Sequence, residues 1–350
     1  MKSVRIGLLG VAHAHAGAYC ARWRERPDLG ALVTAAWDRD ASRLAGFCKA
    51  NSLEAAASPE SLLARSDVDA VLVAAETAFH AELVEQAAAA GRPIALQKPL
   101  CLTMAEADRI VSVVGRAGVP FTLAWQMRVD PHNLKVKSLL QDGSFGRLYM
   151  LRRRHCLPTQ QWKDFDKTWH VKPELNRDIF ADDAAHAIDF IYWLLGMPES
   201  VTAEMATALN PAVKNDNAIA LYRYPGGTLA EVSCTFVAVA GENVTEAVCE
   251  RGTIIQNYGD VPSCSPQWPP GAIQLKWFMA GDKAWTPSGL PDIRLHGERI
   301  AGLAGPLAAF LRGERPPIAT AQEGRDVLAM TLGCYDSMEQ GRRIRLAKPA

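Results

Sequence analysis

The first third of the chain alternates apolar segments with helix-like segments, and this alternation limits the fold more than any other feature. Strands are predicted at residues 4–9, 31–37, 68–74, 93–96 and 120–124, and helices at 14–26, 41–50, 81–90 and 104–117. Thr103 is the predicted N-cap of the last of these helices, and Gly118 follows its end. Strands and helices at this spacing form right-handed βαβ units, so we expect an α/β domain with a parallel sheet.

The pattern changes after Trp125, where longer alternating strands replace the βαβ units. Strands are predicted at 148–154, 200–207, 218–224, 228–237 and 244–249, a hairpin turn at 225–227, and helices at 132–141, around 182–196 and at 324–339. Residues 261–290 are rich in proline and glycine and are predicted to form surface loops. Because single cores rarely grow beyond about 250 residues, the 350-residue chain is expected to form two domains. We place an α/β domain at 1–124 and an α+β domain with an open, mainly antiparallel sheet at 125–350.

The composition excludes several classes of partner. Lys+Arg and Asp+Glu both number 38, and Arg152–Arg154 is the only basic triplet, so nucleic acid is not expected as a main partner. No apolar run approaches the roughly 20 residues that span a bilayer, and the N-terminal residues have the pattern of a strand rather than of a signal peptide. The eight cysteines include no CxxC pair, which is typical of buried thiols in a reducing compartment. We therefore expect a cytoplasmic protein without a membrane partner.

A glycine turn follows the first strand, as in folds that bind a dinucleotide at a helix N-terminus. The turn runs from Gly10 to His15 with the sequence GVAHAH, so only the first glycine of a GxGxxG motif is present. Asp38, at the end of the second strand, is expected to accept hydrogen bonds from the adenosine ribose, and its alternative role is to cap the next helix. Because of Asp38, NAD is the preferred cofactor. Arg39 could instead hold a 2′-phosphate, so NADP is the alternative.

Two histidines in the same turn, His13 and His15, raise the question of a metal site. Two histidines with no carboxylate or cysteine nearby in the sequence make a poor set of ligands, so no metal is predicted. The alternatives are that these histidines donate to phosphate or nicotinamide, or that they pack within the turn.

Lys98 is expected at the carboxyl end of a strand, since Pro99 cannot donate to a sheet ladder. Ligands bind at this edge of an open α/β sheet. Asp182 and His186 are four residues apart on a predicted helix, so both side chains should project from one face. The three groups suit the oxidation of an alcohol, with His186 as general base, Asp182 orienting it or binding a hydroxyl, and Lys98 stabilising the developing alkoxide. The alternatives are an ordinary helix ion pair and a solvated lysine.

An ordered set of motifs covers nearly the whole chain. After the glycine turn and Asp38 come Glu76-Thr77-x-x-His80, Gln97-Lys98-Pro99, Gln126-x-Arg128-x-x-Pro131, Asp182-x-x-x-His186-x-x-Asp189, Trp193-Leu194-x-Gly196 and Asp336-Ser337-x-x-x-Gly341. The set resembles the Gfo/Idh/MocA oxidoreductases, named after glucose-fructose oxidoreductase and inositol dehydrogenase. The resemblance implies an N-terminal Rossmann domain that binds a nicotinamide dinucleotide, a C-terminal α+β domain, and substrates that are sugars, polyols or their derivatives.

The resemblance also assigns residues. Lys98 matches the family's Glu-Lys-Pro lysine, next to nicotinamide and substrate, and Asp182 and His186 match the Asp and His of its substrate helix. Three departures are Gln97 in place of glutamate, Ala75-Glu76 in place of Thr-Pro, and Asn176-Arg177-Asp178 in place of a glycine-rich run. The candidate cofactor residues are Gly10, Ala12, His13, His15, Asp38, Arg39, Ala75, Glu76, Thr77, His80, Gln97, Lys98 and Gln126. The candidate substrate residues are Lys98, Arg128, Trp162, Arg177, Asp182 and His186.

The expected function is an NAD(P)-dependent dehydrogenase or reductase acting on a secondary alcohol of a sugar, polyol or sugar derivative. The alternatives are an NAD-dependent enzyme that cleaves glycosides through transient oxidation and a non-catalytic sensor of a dinucleotide or sugar. The family's open sheet commonly forms oligomer contacts, and the segment after residue 196 has too few predicted helices to cover both sheet faces. A homodimer or homotetramer formed through this sheet is therefore expected.

Overall fold

The structure, a computed structural model, describes residues 3–240, 243–257, 270–292 and 296–346, which fall into two compact units. The first unit comprises Met1–Val129, Glu174–Asn176 and Gly297–Leu328, and the second comprises Asp130–Pro173, Arg177–His296 and Ala329–Ala350. The sequence placed everything after residue 124 in the second domain. The division in the structure differs because Gly297–Leu328 packs with the first unit.

The first unit contains a six-stranded parallel sheet in the order β3-β2-β1-β4-β5-β6. Its strands are β1 Val4–Leu9, β2 Ala31–Trp37, β3 Glu54–Ala55, β4 Ala70–Val73, β5 Ile94–Leu96 and β6 Phe121–Leu123. The intervening helices are α1 His15–Glu25, α2 Ala41–Asn51, α3 Pro59–Leu63, α4 His80–Ala89 and α5 Met104–Ala117. This strand order is that of the Rossmann fold, in which ligands bind outside the carboxyl ends of the strands. The predicted Rossmann fold is confirmed.

Local sequence signals account for several of these elements. The central strands β4 and β5 are buried throughout, as expected of parallel strands covered by helices on both faces. Helix α5 begins with a capping box in which Thr103 and Glu106 bond each other's backbone N–H, and it ends at Gly118 with φ of 64°. Both predicted ends of this helix are confirmed. The short β3 and α3 have no clear period and are absent from the predicted elements.

The edge of the first sheet is covered by a segment from late in the chain. The backbone N–H of Leu123 in β6 donates to the carbonyl of Ala319 at 2.9 Å, and the N–H of Ile318 donates to Thr122 Oγ1 at 2.8 Å. An unpaired edge strand invites pairing with another chain, so this contact protects the sheet. Three helices lie in the C-terminal part of the chain, α9 His296–Gly302, α10 Ala304–Leu311 and α11 Ala321–Gln340.

The second unit contains a nine-stranded sheet. Its strands are β7 Leu148–Cys156, β8 Ser200–Ala206, β9 Asn217–Arg223, β10 Leu229–Thr235, β11 Val244–Cys249, β12 Gly252–Gln256, β13 Leu275–Met279, β14 Thr286–Pro287 and β15 Ile344–Arg345. Their order is β14-β13-β12-β11-β7-β10-β9-β8-β15, and every pair is antiparallel except β7 with β10. The helices of this unit include α6 Pro131–Gln141 and α8 Ala185–Leu195, whereas three of the four residues of α7 Pro173–Asn176 belong to the first unit. The predicted open, mainly antiparallel sheet is confirmed.

The two faces of the second sheet differ in exposure. On β9, Ala218, Ala220 and Tyr222 are buried, whereas Ile219 and Leu221 are 59% and 42% exposed. The Tyr222 hydroxyl lies 3.1 Å from Cys334 Sγ on the C-terminal half of α11, which therefore covers the buried face. The open face carries apolar side chains around ion pairs that Arg152 makes with the carboxylates of two neighbouring strands.

The sequence prediction is wrong for part of 261–290. Residues 258–269 lie outside the described residues, but Leu275–Met279 is a strand that pairs with β12, and Leu275 is fully buried. This strand is defined by its pairing with β12 and not by an alternation of apolar and polar residues in its own sequence, so the sequence pattern did not indicate it. The final helix begins at Ala321 rather than residue 324, because Thr320 and Glu323 form a capping pair that extends it.

The seven described cysteines are buried free thiols, and burial raises the pKa of Cys334 to about 12 and that of Cys249 to about 11. Cys264 lies outside the described residues. Within 3–240, 243–257, 270–292 and 296–346, the helices are too short or too polar to cross a bilayer.

Candidate active site

The glycine turn begins where β1 ends. Gly10 has φ of 83°, and a Cβ on this residue would lie 2.5 Å from the Cα of Ala75. The backbone N–H of the next residue, Val11, donates to Asp38 Oδ2 at 2.7 Å. Only glycine lets the turn approach Ala75, two residues beyond the end of β4, this closely. The ends of β1, β2 and β4 therefore lie close together, at a place that we call the backbone crossing.

Asp38 is buried and fixes this crossing. Besides the Val11 N–H, its carboxylate accepts the N–H of Asp40 at 2.8 Å and the guanidinium of Arg43 at 2.7 Å. The cap of α2 is Asp40, whose Oδ1 accepts the N–H groups of Ser42 and Arg43 at 2.9 Å. The helix-cap role considered for Asp38 therefore belongs to Asp40, and ribose binding by Asp38 stays a prediction.

Arg43 was not among the candidate residues, yet it joins two carboxylates at the strand ends. Its guanidinium lies 2.7 Å from both Asp38 and Glu76. Burial alone would lower the pKa of Arg43, but the hydrogen bonds and charges of the two carboxylates outweigh it and raise the pKa above its ordinary value. The cluster pairs one cation with two acids, so the acidic character predicted from Asp38 alone is partly neutralised.

Arg39, the candidate 2′-phosphate ligand, has partners of its own. Its guanidinium forms an ion pair with Glu82 at 3.0 Å and lies 4.0 Å from the centre of the Phe79 ring. Binding a phosphate here would have to compete with these contacts.

The two turn histidines contact each other. Their ring centres are 4.3 Å apart in an edge-to-face arrangement, and the backbone N–H of His15 donates to His13 Nδ1 at 3.3 Å. The backbone N–H of His13 donates to the carbonyl of Ala74 at 2.9 Å, which places this turn beside the end of β4. Among the described residues, no three histidine, cysteine or carboxylate side chains form a group that could hold a metal ion.

The segment after β4 is held by buried side chains. Thr77 Oγ1 donates to Asn176 Oδ1 at 2.5 Å. The His80 imidazole lies between two carbonyl groups, with Nδ1 2.9 Å from the oxygen of Pro99 and Nε2 3.2 Å from that of Ala75. Burial lowers the pKa of His80, although both carbonyls favour its protonated form. His80 therefore ties the chain after β4 to the chain after β5.

Gln97 and Lys98 follow β5, at the predicted carboxyl end of the strand. Lys98 is 3% exposed. Gln97 donates from Nε2 to the hydroxyl of Tyr19 at 3.0 Å, and burial raises the pKa of that phenol, which stays protonated. The Oε1 atoms of Gln97 and Gln126 are buried without a hydrogen-bond partner in the described part of the chain. Buried acceptors of this kind suit a ligand that brings donors, such as a carboxamide or ribose hydroxyls.

Arg128 forms the structural ion pair that the sequence left as an alternative to substrate binding. Its buried guanidinium lies 2.6 Å from Glu323 Oε1 and 3.3 Å from the carbonyl of Ile318. Burial would raise the pKa of Glu323, but the Arg128 charge and the hydrogen bonds from Arg128 and Thr320 together outweigh it and hold that pKa below its usual range. These contacts bind the turn at Gln126–Val129 to the late segment of the first unit.

In the second unit, Asp182 lies just before α8 and His186 in its first turn, and both are almost fully buried. A π-helical turn at Phe180–Ala184 precedes α8, so the backbone is wider here than the predicted α-helix. His186 Nε2 lies 3.7 Å from Asp183 Oδ1, whereas Asp182 Oδ2 lies 2.6 Å from Nδ1 of His170. His170 was not among the candidate residues.

Arg177 and Asp178 occupy the place of the family's glycine-rich run. Arg177 has φ of 70°, a conformation that favours glycine, and its guanidinium lies 4.7 Å from the centre of the Tyr335 ring. Asp178 accepts hydrogen bonds from the Tyr335 hydroxyl at 2.5 Å and from Asn215 Nδ2 at 2.7 Å. Burial raises the pKa of Asp178 in spite of these donors. The carboxylate thus holds the turn before α8.

Trp162 lines a cavity of about 350 Å³, which is formed by residues 159–166 with Leu209, Asn210, Val213, Asp216 and Val237. The indole is 41% exposed and packs edge-to-face on Phe165 at 5.4 Å. An exposed aromatic ring beside polar side chains suits a sugar ring, so substrate binding by Trp162 stays a prediction. Trp169 instead stacks on His170, with ring centres 3.9 Å apart.

Family models match both halves of the chain. The model described as "Oxidoreductase family, NAD-binding Rossmann fold" matches residues 4–124. The model of the GFO/IDH/MocA C-terminal domain matches residues 133–255. The chain belongs to the Gfo/Idh/MocA oxidoreductase family.

Curated relatives of the chain are named oxidoreductases or dehydrogenases, and solved structures share its fold. The uncharacterized oxidoreductase YrbE of Bacillus subtilis is 26% identical over 215 residues, which span 60% of this chain and 61% of YrbE. Myo-inositol 2-dehydrogenase of Thermotoga maritima is 24% identical over 297 residues, 82% of this chain and 83% of that enzyme. The WlbA dehydrogenase of Bordetella pertussis, solved with NADH and UDP-GlcNAcA, has a TM-score of 0.82 at 22% identity and covers 99% of this chain and 100% of its own. Levoglucosan dehydrogenase, solved with NADH and levoglucosan, has a TM-score of 0.84 at 18% identity over 99% of this chain and 100% of its own.

The first unit of this Gfo/Idh/MocA protein is an NAD-binding domain, and its side chains fit that cofactor. The backbone at Gly10 leaves no room for a Cβ, as a turn that cradles a pyrophosphate requires. The buried amide oxygens of Gln97 and Gln126 accept donors. NAD supplies the hydride-accepting ring, and the protein supplies the groups that bind, orient and exchange protons.

Proposed function

We propose that this Gfo/Idh/MocA oxidoreductase transfers a hydride between NAD and a secondary alcohol of a sugar, polyol or sugar derivative. The observation that carries the proposal is the match of both domain models to a chain that keeps the lysine after β5 and the Asp-x-x-x-His of the α8 segment. Relatives named inositol 2-dehydrogenase and structures solved with levoglucosan or UDP-GlcNAcA support a carbohydrate-like substrate.

Loss of a hydride from an alcohol carbon requires that the hydroxyl proton go to a base. We assign this role to His186, because a histidine exchanges protons near neutral pH. His186 is buried in the first turn of α8, which keeps it away from bulk water. Asp182 binds a substrate hydroxyl and holds the alcohol in place for the transfer.

Lys98 is assigned to the reacting oxygen. The buried ammonium follows β5, at the strand edge where ligands bind in Rossmann domains. A charge-assisted hydrogen bond from Lys98 stabilises the alkoxide as it develops and polarises the carbonyl in the reverse reaction.

A substrate panel tests the proposal. We expect reduced cofactor to accumulate when NAD is mixed with one or more of myo-inositol, levoglucosan, L-sorbose and sugar acids, followed by absorbance. Retention of NAD through purification with glycoside cleavage and no net NADH would favour the glycoside-cleaving alternative. Binding of NAD and sugars without turnover across the panel would favour a sensor.

Substitution tests the assigned roles. Lys98→Ala and His186→Ala should each lower kcat by about 10²- to 10⁴-fold while NADH still binds, since their contacts matter most in the transition state. Asp182→Asn should mainly raise KM. The control Lys49→Ala, an exposed lysine on α2, should keep the wild-type kcat. Near wild-type turnover by His186→Ala would contradict the assignment.

A further inference from the structure

Asp182, a proposed substrate-binding residue of the second unit, makes a short polar contact with His170. Their Oδ2 and Nδ1 atoms are 2.6 Å apart, and the Asp182 side chain is 1% exposed against 22% for His170. A nitrogen–oxygen distance this short is typical of a charge-assisted hydrogen bond. His186 and its acidic neighbour Asp183 are farther apart, at 3.7 Å, which exceeds hydrogen-bond length.

The imidazole of His170 is held in place by aromatic rings. It stacks on Trp169 with ring centres 3.9 Å apart and planes at 26°, and on Phe165 at 5.9 Å and 21°. These contacts limit rotation of the ring, so Nδ1 stays directed at the carboxylate. A carboxylate facing Nδ1 favours the tautomer whose proton is on that nitrogen, as in other histidine–carboxylate pairs.

The hydrogen bond from His170 comes from outside the helical segment that carries Asp182. Asp182 lies in the π-helical turn Phe180–Ala184, and His170, 12 residues earlier in the chain, supplies the hydrogen bond. The contact fixes one carboxylate oxygen and thereby the direction of the other.

We propose that His170 is a positioning residue that orients Asp182 for substrate binding. The inference rests on the proposed function, in which Asp182 binds a substrate hydroxyl. The imidazole donates its Nδ1 proton to Oδ2, and the aromatic stack keeps this donor in place. Loss of the His170 donor removes one hydrogen bond that sets the orientation of the carboxylate, and a misplacement of about 1 Å can cost about 10²-fold in rate.

Two substitutions at this position separate hydrogen bonding from packing. His170→Phe keeps a ring for Trp169 and Phe165 but has no donor, whereas His170→Asn keeps a donor near the place of Nδ1 but removes the ring. With the sugar or polyol of the panel that the wild type oxidises, we expect kcat/KM to fall about 10²-fold in His170→Phe. In His170→Asn we expect it to stay within about tenfold of wild type. The reverse order would show that His170 acts through packing and would overturn the proposal.

A double-mutant cycle tests that His170 acts through Asp182. In the Asp182→Asn background, His170→Phe should cost less than about threefold, because the group it positions is already altered. Full additivity of the two losses would overturn the proposal. Titration with NADH should give wild-type affinity for each variant, which verifies that the protein remains folded.

A spectroscopic measurement decides the inference without turnover. In ¹⁵N-histidine NMR of the full chain, we expect a protonated Nδ1 signal that is absent in His170→Phe and shifted in Asp182→Asn. A His170 signal with an unprotonated Nδ1, or one that Asp182→Asn leaves unchanged, would overturn the inference. A wild-type protein that oxidises no member of the panel contradicts the proposed function, whereas this NMR result still tests the His170–Asp182 hydrogen bond.

Discussion

Replacing Gly10 by alanine tests whether the backbone crossing at the ends of β1, β2 and β4 is the site of dinucleotide binding. The new Cβ would lie 2.5 Å from the Cα and 2.6 Å from the N atom of Ala75. Carbon atoms normally approach no closer than about 3.5 Å, so the two segments must separate by about 1 Å. The Val11 N–H that donates to Asp38 follows Gly10 directly and would move with it.

The expected magnitude has two parts. An alanine in a left-handed conformation costs about 1–2 kcal/mol relative to glycine, and Gly10 has φ of 83°. Forcing an extra carbon into packed backbone adds about 1–3 kcal/mol. The free energy of unfolding of Gly10→Ala should therefore fall by about 2–5 kcal/mol. We also expect the displaced backbone to cost NADH at least about 1.4 kcal/mol of binding free energy, which corresponds to an affinity about tenfold weaker.

Gly118→Ala is a matched control. Gly118 also has a positive φ, 64°, but a Cβ there meets nothing within 4 Å. This variant should lose about 1–2 kcal/mol of stability and keep wild-type affinity for NADH. Urea denaturation and calorimetric titration measure the two quantities. If Gly10→Ala is no less stable than Gly118→Ala and binds NADH as the wild type does, the close approach is not needed for the cofactor site.

Three further predictions concern the cofactor, the assembly and pH. NAD should bind more tightly than NADP in calorimetric titrations, because the Asp38 carboxylate repels a 2′-phosphate. Asp38→Ser removes this carboxylate and leaves the Arg43 cation, so it should reduce the difference between the two affinities. Tighter binding of NADP by the wild type would refute the prediction. The exposed Ile219 and Leu221 should lie in a subunit contact, so sedimentation should show a dimer or tetramer that Leu221→Asp dissociates, and a wild-type monomer at micromolar concentration would contradict it. Burial lowers the pKa of His80 below 6.5, so protons favour the unfolded chain, and stability should fall as pH drops below about 6.5. Urea unfolding of His80→Gln should show a smaller change of the free energy of unfolding with pH between pH 7 and 5, reduced by at most about 1.4 kcal/mol per pH unit. An unchanged pH dependence would assign the effect to other groups.

The Rossmann half was predictable because its signals are local. Apolar segments, capping residues and glycine stops mark each βαβ unit, so α5 was predicted with its bounds and cap. The strand β13 was missed because its pairing with β12 depends on residues far from its own sequence. The return of Gly297–Leu328 to the first unit was missed for the same reason, since no local pattern indicates which sheet a late segment will join.

The order of the motifs names candidate site residues but not the groups that contact them. Asp38, Lys98, Asp182 and His186 were expected from the sequence, whereas Arg43 and His170 were not. Arg43 lies five residues after Asp38 on the first turn of the next helix, so a search for charges near the predicted ribose carboxylate could have found it. His170 has no such signal, because it lies in a segment of 3-10 turns without a period.

The late cover on β6 has a consequence for the synthesis of the protein. Thr122 precedes Ile318, whose N–H it accepts, by 196 residues. At about 5–20 residues per second, a ribosome needs about 10–40 s to make the intervening chain. Throughout that interval the nascent β6 lacks the segment that covers it, and an open strand edge can pair with a neighbouring chain. The yield of correctly folded protein therefore depends on shielding one short strand while more than half of the polypeptide is still being translated.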